Sequence, residues 1–80
     1  MKIRFKDTDA QYKFRCFSDA NVAIADYMGM DTHDVISYEE CGQTIIALVD
    51  DNDDVIEVGE FNQWEAQIHQ FEQQYFIIEE

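Results

Sequence analysis

No lysine or arginine occurs between Cys16 and Glu80. All five basic residues, Lys2, Arg4, Lys6, Lys13 and Arg15, fall in the first fifteen positions. With two aspartates beside them, they give that opening a charge of +3, while the other 65 residues carry sixteen carboxylates and sum to −16. Most soluble domains mix both signs over the surface, which keeps them soluble without self-repulsion. A net charge of −13 instead accepts repulsion that opposes the compact state. It also argues against direct nucleic-acid binding, because the acidic remainder repels phosphate.

Proline is absent and glycine occurs three times. No Pro/Gly-rich linker, low-complexity stretch or repeat divides the chain, and 80 residues leave room for one core, so residues 1–80 are read as a single domain. Hydrophobic residues at 46% and aromatics at 14% exclude a disordered acidic tail. No apolar run nears the roughly 18 residues a membrane span needs. Met1–Lys6 alternates charged and apolar residues and lacks the continuous apolar region of a signal peptide. The expectation is a soluble, cytoplasmic protein. Cys16 and Cys41 have no CxxC spacing and read as reduced core thiols. There is no Gly-rich phosphate loop, nucleophile elbow or HExxH, so neither an enzyme nor a cofactor is predicted.

Periodicity supplies the expected elements. Residues 2–6 alternate as a strand and residues 11–17 alternate again, around a turn at Asp7–Ala10, predicting an N-terminal hairpin with its basic residues on one face. Ser18 is a good N-cap and Gly29 a good stop, so a helix over about 19–28 is predicted, with Val22, Ala25, Tyr27 and Met28 at helical spacing. Asp31–Asp34 reads as a loop. Val35–Glu40, Thr44–Val49 and Val55–Gly59 read as a three-stranded antiparallel meander, with Cys41–Gln43 as its first turn. Asn62 and Glu65 have capping-box spacing. Trp64, Ile68, Phe71 and Tyr75 then predict an amphipathic helix over about 63–74 with that stripe in the core. Tyr75–Ile78 is read as a final strand, because Glu79 and Glu80 suit a helix C-terminus poorly. The expected fold is α+β: a small antiparallel sheet with two helices on one face, in the order ββαβββα(β).

The segment Val49–Val55 ("VDDNDDV") holds four aspartates. An EF-hand loop starting at Asp50 requires Gly at its sixth position and Glu at its twelfth. Those positions hold Val55 and Phe61, so a hairpin turn is predicted instead of a calcium site. Cys16, His33, Cys41 and His69 lack paired-ligand spacing, and no metal is predicted. His33 reads as a surface-loop residue and His69 as a solvated one.

The acidic surface remains. A solvated surface of a salt-adapted protein is the plain alternative, but the Ile and Phe content and the three lysines fit it poorly. The sequence points instead to an electrostatic binding face made of Glu39, Glu40, Asp50, Asp51, Asp53, Asp54, Glu57 and Glu60. Same-face strand residues lie about 6.6 Å apart. Duplex DNA carries a charge about every 3.4 Å per strand. These densities are of the same order, so such a face fits a Lys/Arg-lined groove that otherwise holds nucleic acid.

In size, acidity and α+β pattern the chain resembles the small inhibitors encoded by phages and mobile elements, including anti-CRISPR proteins and antirestriction or nuclease-inhibiting DNA mimics. The likeness lies in size and charge over the whole chain. It carries no motif, and no residue roles come with it. It implies a non-enzymatic inhibitor in a bacterial host cell. The implied partner is a basic nucleic-acid-binding protein such as a CRISPR effector, nuclease or restriction enzyme. Neither nucleic acid nor membrane is bound directly. The alternative expectation is an accessory interaction module of a phage or plasmid, or a small structural protein that dimerises through a sheet edge.

Overall fold

Ile3 and Phe5 are buried while Lys2 and Arg4 on the alternate positions are not, so β1 (Lys2–Phe5) forms as its alternation predicts. The structure, a computed structural model, describes residues 1–80. Two helices follow, α1 (Thr8–Arg15) and α2 (Asp19–Met28), then β2 (His33–Glu40) and β3 (Gln43–Leu48). The short strands β4 (Glu57–Val58), β5 (Trp64–Glu65) and β6 (Gln67–Ile68), a 3-10 helix (Gln70–Tyr75) and β7 (Phe76–Glu79) complete the chain. Five strands make one antiparallel sheet in the order β6-β3-β2-β1-β7, and β4 pairs only with β5. The α+β class with an antiparallel sheet is as expected. No helix is long and apolar enough to cross a membrane.

The second strand of the expected N-terminal hairpin is instead α1. Asp7 caps it, its carboxylate accepting from the Ala10 N–H at 2.7 Å. Ala10 and Phe14, four apart, are its buried residues, and Asp9 pairs with Lys13 across one turn at 3.0 Å. Tyr12 and Cys16, which carried the apparent alternation, are exposed. The basic residues are therefore split: Lys2 and Arg4 sit on the strand, Lys13 and Arg15 on the helix.

α2 begins and ends where predicted. Ser18 accepts from the Asn21 N–H, and Gly29, at φ 56°, donates its N–H to the Ala25 carbonyl. Its buried stripe is Asn21, Ile24, Ala25 and Met28: Ala25 and Met28 are as predicted, whereas Val22 is half-buried and Tyr27 faces solvent. β2 starts at His33, inside the predicted loop. β2 and β3 form the expected hairpin around Cys41 and Gly42, both at positive φ, as a tight two-residue turn requires.

The meander ends early. Val55 bridges Val49, and the Ile56 N–H reaches the Leu48 carbonyl at 2.9 Å. The chain then leaves β3 to form the β4–β5 hairpin, which stands over α2. β6 returns to β3 in register, Ile46 against Ile68. The helix expected over 63–74 is thus absent: β5, β6 and the 3-10 helix take its place. The Leu48 N–H donates to the Ala66 carbonyl and the Ala66 N–H to the Ile56 carbonyl. These bonds saturate backbone groups at the β3 edge, which a helix here would leave unpaired. Of the expected stripe, Ile68 is buried and Trp64 and Tyr75 pack partly on the core, but Phe71 is 56% exposed. The final strand is present as β7.

The core lies between the sheet and the two α-helices. Phe5, Phe14 and Phe76 form its aromatic centre, with ring centroids 4.5 to 5.5 Å apart. Full burial of such a side chain is worth about 1.5–3 kcal/mol.

Candidate functional site

Asp50–Asp54 is a hairpin turn. The Asp50 N–H bonds the Asp54 carbonyl and the Asp53 N–H bonds the Asp50 carbonyl, both at 3.0 Å. Asp53 takes φ 62°, a conformation aspartate tolerates. The Asp50 carboxylate accepts from the Asn52 and Asp54 N–H groups at 2.8 and 3.1 Å, so it holds the turn. Asp51, Asp53 and Asp54 project their carboxylates without a partner in the chain.

The eight predicted carboxylates are all exposed, but they do not form one set of rows. Glu39 and Glu40 lie at the β2–β3 turn, and Asp50–Asp54 at the other end of β3. Asp50 lies seven positions beyond Gln43, which is opposite Glu40, and that is about 23 Å at a strand rise of about 3.3 Å. Glu57 and Glu60 belong to the separate β4–β5 hairpin. The even spacing expected of a meander is lost because β4 never joins the large sheet. The overall sign survives: seventeen of the eighteen carboxylates are exposed, and they lie around the molecule, not on one plane.

Glu57 and Glu60 do meet two acids that the sequence did not single out. A groove of about 680 Å³ runs between α2 and the β4–β5 hairpin. Val22, Ala23 and Val58 lie along it, with Tyr27 on the helix side and Trp64 on the hairpin side. Asp19 and Asp26 line it from α2, Glu57 and Glu60 from the hairpin, and no cation lines it. Asp26 is paired with Arg15; the other three carboxylates accept no bond within the chain. The hairpin is held by its glycine: Gly59, at φ 99°, lies against the Gln63 and Trp64 side chains. Its apex carries Phe61, 80% exposed.

A second groove, also about 680 Å³, lies between Phe17 and Phe71 on one side and Trp64 on the other. Glu72, 2% exposed, lines it. Its carboxylate accepts from Asn21 Nδ2 at 2.5 Å and from the His69 N–H at 2.9 Å, and the His69 ring lies 3.2 Å away. Asn21 also donates to the Phe14 carbonyl at 3.0 Å. This polar group joins α1, α2 and the 3-10 helix and has the bonding of a structural link.

The cations are mostly occupied. Lys2 pairs with Asp34 at 3.8 Å, Lys13 with Asp9, and Arg15 with Asp26; Arg4 and Lys6 form no ion pair. The hydrogen bond and charge of Asp9 hold the Lys13 ammonium above its ordinary pKa. On the helix-free face of the sheet, Tyr38 accepts from Gln67 Nε2 at 2.7 Å. Burial pushes its phenol above the ordinary value and the Glu40 carboxylate adds to the rise, while the Gln67 bond opposes it.

Both cysteines are exposed, not in the core: Cys16 caps the end of α1 and Cys41 sits in the β2–β3 turn. His33 is half-buried on β2, with Nε2 2.9 Å from the Met28 carbonyl. No three of the His, Cys, Asp and Glu side chains converge as a metal site would need. Comparison of the chain with protein-family models, curated proteins and solved structures finds no match.

Proposed function

We propose that the chain is a non-enzymatic inhibitor of the anti-CRISPR or DNA-mimic kind, acting in the cytoplasm of a bacterial host. It docks its acidic surface on the basic nucleic-acid-binding surface of a defence or nuclease protein and blocks nucleic-acid access. The observation that carries this reading is the one-signed surface: seventeen exposed carboxylates and no cation after Arg15. Such a surface steers a basic partner, speeds association and makes it salt-sensitive. It needs neither cofactor nor membrane. The spread of the carboxylates over several elements favours a partner that wraps or clefts around the molecule over a flat one.

A pull-down from bacterial lysate with this chain as bait tests the proposal. Bound protein should be a nucleic-acid-binding enzyme, released by salt and displaced by duplex DNA. Capture that is indifferent to salt and uncompeted by DNA would contradict it.

A second reading has one observation in its favour. β7 is an edge strand paired only with β1, and Ile78 on it is exposed, which suits an accessory module that dimerises through this edge. Sedimentation at two concentrations decides: a monomer at both removes the dimer.

A further inference from the structure

We infer that the groove between α2 and the β4–β5 hairpin receives an arginine-bearing segment of a protein partner. This rests on the binding reading above and locates its specific contact. The groove has an apolar floor, and Val58 on it is almost wholly buried. Its two sides carry Tyr27 and Trp64, and its rim carries carboxylates from both sides.

Charge and shape together select the occupant. An anion is repelled. A purely apolar segment would cover the floor but strip water from Asp19, Glu57 and Glu60 without replacing their hydrogen bonds, which is costly. A metal ion is a poor fit, because no three of these carboxylates converge on one point. A lysine ammonium answers the charge but is strongly hydrated and presents no planar face. A guanidinium answers both features: it stacks flat on an indole or phenol ring and donates in-plane to carboxylates. The ion-pair half of this contact already occurs within the chain, where Arg15 donates to Asp26, one of the four carboxylates that line the groove. Phe61, at the apex of the same hairpin, adds an exposed aromatic outside the groove lining. An aromatic anchor within a charged surround is a common arrangement at protein interfaces.

Trp64 is the single tryptophan and lines both this groove and the second one, so its emission detects a ligand at either and the amide shifts tell the two apart. Titration with an oligoarginine peptide should change that emission, and amide shifts should concentrate at residues 19–27 and 57–64. An oligolysine peptide of equal length should bind more weakly at the same ionic strength. Glu57→Gln with Glu60→Gln should weaken oligoarginine binding by about tenfold, the scale of one or two charge-assisted bonds. Asp51→Asn with Asp54→Asn removes the same charge from the 50–54 turn, no residue of which lines the groove, and should change it less than about twofold. All four side chains are exposed, and matching circular dichroism and urea midpoints check that both variants fold. Equal losses from the two pairs, amide shifts centred on residues 50–54, or an unchanged Trp64 emission would overturn the inference. Those results would leave the broader acidic-surface reading standing, since that reading fails only on salt-indifferent, DNA-insensitive partner binding.

Discussion

The backbone of Gly59 lies against the Trp64 indole so closely that a Cβ there would come within 2.8 Å of Cε3 and 2.6 Å of Gln63 Oε1. This packing lets the β4–β5 hairpin close over α2 and so creates the groove. Gly59→Ala adds both a clash and a side chain at φ 99°, a conformation costing about 1–3 kcal/mol. Urea unfolding should show a loss of that order, with Trp64 emission shifted in the native state. A change under about 0.5 kcal/mol would mean that the hairpin tolerates rearrangement.

Asp50 and its neighbours should separate cleanly. Asp50→Ala removes the acceptor of two backbone N–H groups and should cost roughly 1 kcal/mol, as loss of a capping side chain does. Asp51→Lys with Asp54→Lys touches no internal bond. Its stability should stay within about 0.5 kcal/mol of the parent or rise slightly as repulsion falls, while binding to a basic partner weakens. Unchanged binding would move the contact away from this turn.

The buried link between Asn21 and Glu72 should be among the most sensitive positions. Asn21→Ala leaves Glu72 buried without its amide donor and takes one of the two donors from the Phe14 carbonyl, which keeps only the Phe17 N–H. The expected loss is about 2–4 kcal/mol, as for a broken buried polar network. A double-mutant cycle with Glu72→Gln should show strong non-additivity. Additive losses would mean that the two side chains act independently.

Tyr38 supplies the pH dependence. Its folded pKa is raised, so the folded state holds the phenol proton more tightly than the unfolded state does. The stability it contributes is fully present below the ordinary phenol pKa of about 10 and is lost as pH rises through the folded value. Absorbance titration of the tyrosinate band should show an ionisation step above the ordinary phenol range. Tyr38→Phe should remove that late step.

Much of this architecture is legible in the sequence where local signals act alone. Ser18 and Gly29 bound α2, Cys41–Gly42 turns β2 into β3, and Asp50–Asp54 makes the next turn. Two segments mislead because two periods coincide. Tyr12, Phe14 and Cys16 alternate, yet Ala10 and Phe14 also lie one helical turn apart, and the Asp7 cap decides for the helix. Trp64, Ala66 and Ile68 alternate just as Trp64, Ile68, Phe71 and Tyr75 follow a helix. The unpaired edge of β3 decides for strands, and no local signal reports that edge. The site divides the same way. Glu57 and Glu60 are visible as acidic residues, but their meeting with Asp19 and Asp26 depends on where the β4–β5 hairpin lands on α2.

The most direct test of the central claim is competition between this chain and duplex DNA for the partner, measured over a range of salt. Labelled DNA bound to that partner should be displaced by the chain. The chain's own affinity should fall steeply and linearly in log–log form as salt rises, as binding dominated by neutralised charge does. Simultaneous binding of DNA and chain, with an affinity flat in salt, would contradict the account.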